Sequence, residues 1–136
     1  MKCHSRWLAL GVALAGLGAC AHIWPAQPSD AERRADYAKY AGPPLESFTY
    51  LRHYYGWQPL GKLQLVVWTD IDDAYLIRVL PPCIGLDFVS GVGFTNQGGL
   101  VTRGVDAVTF GRQYCFIAQI RHVDYLAMKK AINPGP

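Results

Sequence analysis

Residues 63–80 read LQLVVWTDIDDAYLIRVL, and their pattern decides the fold. Leu63 to Thr69 is almost wholly apolar and rich in β-branched and aromatic residues, as expected of a strand buried on both faces. Ala74 to Leu80 is a second such run. Between them Asp70, Asp72 and Asp73 make a short acidic segment that suits a solvated hairpin loop. Two strands this close in sequence pair antiparallel, because a parallel crossover needs a dozen or more residues. Pro81 and Pro82 end the second strand.

Outward from this hairpin the same period continues. SFTYLRHYY (47–55) alternates and is expected as a strand. VDAVTF (105–110) and QYCFIAQIR (113–121) flank Gly111-Arg112, and glycine first in a two-residue loop suits a type II′ hairpin. GVGFTNQGG (91–99) is expected as a loop or strand bend. Both ends of this β region are helical in character. Ser29 with Glu32 forms a capping box ahead of an alanine-rich run, with Gly42 as a plausible left-handed stop and Pro43 and Pro44 beyond it. Tyr37, Tyr40 and Ala41 are its expected packing face. Asp124 can cap a second helix through YLAMKKAI, closed by Asn133-Pro134. The expected fold class is α+β: a small curved antiparallel sheet of five or more strands, with barrel-like closure as one form it can take, and a helix at each end. Trp68, Ile77, Val79, Val108, Phe116 and Ile120 are expected to point inward.

The first residues have a different character. Lys2 and Arg6 precede an uncharged run from Trp7 to Ala19, a basic and then apolar order typical of an export signal. The run is shorter than the roughly 20 apolar residues that a spanning helix needs. Leu17-Gly18-Ala19-Cys20 resembles the lipobox of bacterial lipoproteins. That resemblance implies cleavage before Cys20 and acylation of Cys20, and Ala21 after it implies the outer membrane, facing the periplasm. The expected organisation is a signal peptide over 1–19, a lipidated tether over 20–28, and one domain over 29–136. More than one acyl chain gives stable anchoring without a spanning helix. Loss of Lys2 and Arg6 from the 13 cations leaves 11 against 10 acids, a net charge of +1. No clustered basic footprint for nucleic acid is present.

The chain has four cysteines. Cys3 leaves with the signal and Cys20 carries lipid. Cys83 and Cys115 remain as a pair in an oxidising compartment, where a disulfide is the expected state. Neither lies in a C-x-x-C arrangement.

ADYAKYAGPPLESFTYLRHYYGWQPLG (35–61), VVWTDIDDAYLIRV (66–79), PPCIGLDF (81–88), GFTNQGG (93–99) and CFIAQIRHVDYLAMKKA (115–131) together resemble an uncharacterised proteobacterial domain. It occurs often in lipoprotein sequences and is known only as a domain of unknown function. The resemblance covers nearly all of the mature chain, with Trp57, Trp68, Cys83 and Cys115 at matching positions. It implies an envelope location and a disulfide, and assigns no catalytic residue.

The chemistry-bearing residues are sparse. Asp70, Asp72 and Asp73 do not follow a calcium-loop pattern, since Tyr75 stands where glycine is needed and Pro81 where glutamate is. His53 and His122 have no partner at metal-ligand spacing. No G-x-S-x-G elbow surrounds Ser47 or Ser90. These residues call for no catalytic constellation, metal or cofactor. The densest feature is aromatic: Tyr50, Tyr54, Tyr55 and Trp57, with His53 and Arg52; Tyr54, Tyr55 and Trp57 could form a binding surface for an envelope protein or a glycan, or the cluster could fill the core. The expectation is a membrane-anchored envelope protein with a structural or binding role. The alternatives are a periplasmic enzyme, which needs His53 or His122 within hydrogen-bond reach of an Asp in one cleft, and a small-ligand barrel, which needs an apolar interior cavity.

Overall fold

A computed structural model describes residues 24–136. Cys20, the signal peptide and the first residues of the tether lie outside them. Trp24 to Ser29 is exposed and without regular structure. Helix α1 follows over Asp30–Tyr40. The capping box is formed: Ser29 Oγ accepts from the Glu32 amide at 3.2 Å, and the Ser29 amide donates to the Glu32 carboxylate at 2.6 Å. Those bonds hold the Glu32 carboxyl below its ordinary range.

Nine strands follow: β1 (Ala41–Leu45), β2 (Ser47–Thr49), β3 (Gly56–Pro59), β4 (Gln64–Trp68), β5 (Ala74–Val79), β6 (Gly93–Phe94), β7 (Leu100–Thr102), β8 (Ala107–Phe110) and β9 (Gln113–Val123). Helix α2, Tyr125–Ile132, ends the fold, and the Asp124 side chain accepts from the Ala127 amide at 3.0 Å as its cap. The main sheet runs β3-β4-β5-β9-β8-β6 and is wholly antiparallel, with β1 also paired to β9. It curls into a half-barrel. β2 and β7 form a separate two-stranded ribbon.

β9 organises the sheet. Its last residues carry β5 on one side and β1 on the other, and its first four pair with β8. The β4–β5 hairpin has the expected register, Leu65 opposite Ile77 and Val67 opposite Tyr75. Alternation sends Leu65, Val67, Ile77 and Val79 to the concave side, where they meet Phe48, Phe94, Leu86, Val108, Ile117 and Ile120. Val66, Leu76 and Val123 point to the convex side and are covered by Tyr37 of α1 and Met128 of α2. This explains why Leu63–Thr69 lacks polar alternation: both faces of β4 are covered. The concave side is packed with these side chains.

Several expectations are corrected. Phe116 is 54 % exposed, because Cys115 turns inward to its disulfide and a period of two forces its neighbour out. Trp68 packs on the convex side against α1 and α2, rather than inward. Helix α1 does not end in a left-handed glycine; Ala41 is extended and the chain passes directly into β1. Only Ser47–Thr49 of the run 47–55 is strand, and 50–55 is a loop that contains Arg52 at a positive φ of 67°. Gly111, with φ +53°, does take the turn position expected of it.

Burial under the helices pushes the Tyr37 hydroxyl up to about 12. An ordinary tyrosine titrates near 10. A raised folded value means the contribution to stability is complete below pH ~10 and is lost as pH rises toward 12. Thermal unfolding is therefore expected to shift downward across that interval. Tyr37→Phe should flatten the decline, and an unchanged decline in that variant would assign it elsewhere.

Candidate functional site

The aromatic cluster divides between two faces. Tyr54 turns toward the core, where its hydroxyl donates to the Val92 carbonyl at 3.0 Å. That bond draws Tyr54 away from Tyr55, so the two do not form the shared exposed surface that the sequence suggested. Tyr55 is 68 % exposed, and its amide donates to the Trp68 carbonyl at 2.7 Å, which fixes it beside the edge of β4.

From that edge a groove takes shape. Gly56 lies opposite Trp68 across the β3–β4 ladder, and a Cβ there would sit 3.7 Å from the Trp68 ring. Trp57 is half-buried. Tyr125, the first residue of α2, meets Trp68 edge-on with ring centroids 5.5 Å apart. Ile71 rises from the β4–β5 loop, 56 % exposed. Tyr55, Gly56, Trp57, Trp68, Ile71 and Tyr125 enclose a hollow of about 260 Å³. At its border Lys129 donates to Asp72 at 2.6 Å and lies 5.2 Å over the Tyr125 ring. The bond to Asp72 raises the Lys129 ammonium above its ordinary value. The buried Trp68 Nε1 has no hydrogen-bond partner. Sequence reading pointed to Tyr55 and Trp57 here but missed Trp68, Ile71 and Tyr125, which arrive from β4, the hairpin loop and α2. The clue available was Tyr125, an aromatic directly after the Asp124 cap.

The histidines fall elsewhere. His122 Nε2 lies 2.8 Å from Asp73 Oδ1, with 49 % and 41 % of the two side chains exposed. The Thr69 hydroxyl donates to the other Asp73 oxygen. Asp73 also lines a hollow of about 220 Å³ with His53, Thr69, Asp70 and Tyr75, whereas His122 borders a different hollow beside Tyr40 and Gly42. His53 Nδ1 meets the Leu51 carbonyl at 3.0 Å. One histidine thus reaches an aspartate, but the two do not share a cleft. The Thr69 hydroxyl is bonded to the carboxylate and not to an imidazole. Among the described residues, no group of three or more His, Cys, Asp or Glu is placed to hold a metal ion. No helix among them is long and apolar enough to cross a membrane.

Two further side chains matter structurally. Cys83 and Cys115 are bonded, with their Cα atoms 5.5 Å apart. Asp106 is 4 % exposed; it accepts from the Thr95 hydroxyl at 2.9 Å and from the Thr102 amide at 2.7 Å. Sequence reading passed over Asp106 as part of a strand.

The molecule is a small disulfide-linked α+β domain with an aromatic groove at one sheet edge. The chain belongs to a family of unknown function (DUF6491), whose family model matches residues 3–133. No curated protein and no solved structure matches it.

Proposed function

We propose that the chain is a lipid-anchored protein of the cell envelope, held through Cys20 at the periplasmic face of the outer membrane, whose folded domain binds a partner rather than catalysing a reaction. The groove of Tyr55, Trp57, Trp68, Ile71 and Tyr125 carries the binding part of this reading. Its rings, Tyr55 exposed and Trp57, Trp68 and Tyr125 half-buried, are flat and amphipathic, and such rings supply much contact area. The anchor rests on Leu17-Gly18-Ala19-Cys20.

The test uses the full chain expressed in a bacterial envelope. A photoreactive phenylalanine at position 55 is expected to crosslink to one discrete envelope protein or glycan, while the same probe at Asp36, on the exposed side of α1, does not. Intact mass of the membrane fraction should show a chain that begins at lipidated Cys20, and Cys20→Ser should abolish processing. Equal crosslinking from both positions would refute the groove, and a mature chain without added lipid would refute the anchor.

A further inference from the structure

Three cations, Arg34, Lys62 and Arg78, meet at one end of the sheet. Arg34 of α1 donates to the Leu60 carbonyl at 2.8 Å and lines a hollow with Lys62 and Arg78. None of the three is ion-paired with an acid among the described residues. The same end receives the start of α1: the Asp30 carboxylate lies 3.9 Å from where a Gly61 Cβ would be. Asp30 itself is taken by Arg33, and Glu32 is engaged by the Ser29 amide. The opposite end, around the β4–β5 loop and the start of α2, carries Asp70, Asp72, Asp73 and Asp124.

Apolar surface continues from the basic end. Arg78 faces outward from β5, and Leu80, two residues on, donates its amide to the Phe116 carbonyl at 2.8 Å. Leu80, Tyr114 and Phe116 are 48 %, 66 % and 54 % exposed. They extend the outward face of β5 and β9 past the first turn of α1, where no helix covers it. Tyrosine and phenylalanine beside unpaired arginine and lysine is the composition that favours a bilayer interface.

We infer that this end, Arg34, Lys62 and Arg78 with Leu80, Tyr114 and Phe116, docks on an anionic membrane surface. The inference rests on the anchoring of Cys20. Nine residues separate Cys20 from Asp30. Fully extended they span about 30 Å, similar to the width of the domain itself. The anchor therefore holds the start of α1 within about 30 Å of the bilayer, so that the basic end beside it can reach the surface. Anionic headgroups attract the three cations. The aromatic groove then faces away from the membrane, open to a partner.

Hydroxyl-radical footprinting of the mature membrane protein tests this, in vesicles of phosphatidylcholine with or without phosphatidylglycerol. Phosphatidylglycerol is expected to lower the reactivity of Leu80, Tyr114 and Phe116 severalfold and to leave Tyr55 and Tyr125 unchanged. Each surface cation favours the docked state by about fivefold. Lys62→Gln with Arg78→Gln should thus weaken docking roughly 25-fold and restore reactivity; both side chains are exposed, and Arg34 keeps its bond to Leu60. Protection that is absent, equal at Tyr55, or indifferent to phosphatidylglycerol and to the double variant would overturn the inference. Intact mass of the same sample separates the two readings. Protection without added lipid on Cys20 overturns only the anchor, and lipid without protection overturns only the docking.

Discussion

Reduction of the Cys83–Cys115 bridge should lower the stability of the domain by about 3–4 kcal/mol. The bridge spans 32 positions in sequence. Closing a loop of that length removes conformations from the unfolded chain, and the chain-entropy relation gives roughly 3–4 kcal/mol at 25 °C. The enclosed segment contains β6, β7 and β8, three strands of two, three and four residues. Strands so short hold few ladder bonds of their own. Each kcal/mol moves the melting midpoint of a domain this size by roughly 3–6 °C, so thermal unfolding with reductant should fall by about 10–20 °C. Cys83→Ala with Cys115→Ala should reproduce the shift without reductant. A midpoint unchanged by either treatment would show that the bridge contributes no stability.

Asp106→Ala is expected to cost about 3 kcal/mol or more, although the residue touches neither the groove nor the basic end. Its carboxylate is buried and receives two donors, the Thr102 amide and the Thr95 hydroxyl. The Thr95 oxygen in turn accepts from the Ala107 amide at 2.8 Å, and the Asp106 carbonyl accepts from the Ile117 amide at 3.0 Å. One side chain thus joins the approach to β8 with the end of β7 and the segment directly after β6. Hydrogen bonds to a charged group contribute roughly 1.5–3 kcal/mol each, and a buried donor left unpaired costs a further 1–3 kcal/mol. Asp106→Asn is expected to recover only part of the loss, since one amide oxygen replaces two acceptors and its NH₂ cannot accept. Urea denaturation of the two variants checks both values, and an Asn variant as stable as the parent would contradict the two-acceptor arrangement.

The central hairpin was legible because both faces of β4 and β5 are covered, which writes an apolar run into the chain. The caps were equally legible, since Ser29 with Glu32 and Asp124 with Ala127 involve residues three apart. What escaped the sequence depends on distant partners. β1, AGPPL, has two prolines and the look of a linker; it becomes a strand because β9 offers an edge to it, with Leu45 opposite Ile120. β3 and β7 are three or four residues long and carry too little pattern to read. The orientation of Phe116 could have been found from the disulfide alone, because an inward Cys115 fixes its neighbours outward. The groove was half legible: Tyr55 and Trp57 are close in sequence, but Trp68, Ile71 and Tyr125 join them only through the β3–β4 register and the position of α2. The link between His122 and Asp73 spans 49 residues and follows from the pairing of Tyr75 with His122.

The central place of β9 has a consequence for the order in which the chain can assemble. β9 is the last strand made, yet β1, β5 and β8 all pair with it, and Arg121 donates to the carbonyls of Ala41 and Gly42 some 80 positions earlier. Such distant pairings repay loop closure only late in folding. A chain emerging N-terminus first would hold the β4–β5 hairpin but neither a completed sheet nor a covered core until residue 123 had followed. An export route that passes unfolded polypeptide would thus meet little resistance from this protein, and the fold would close on the far side, where an oxidising environment can join Cys83 to Cys115.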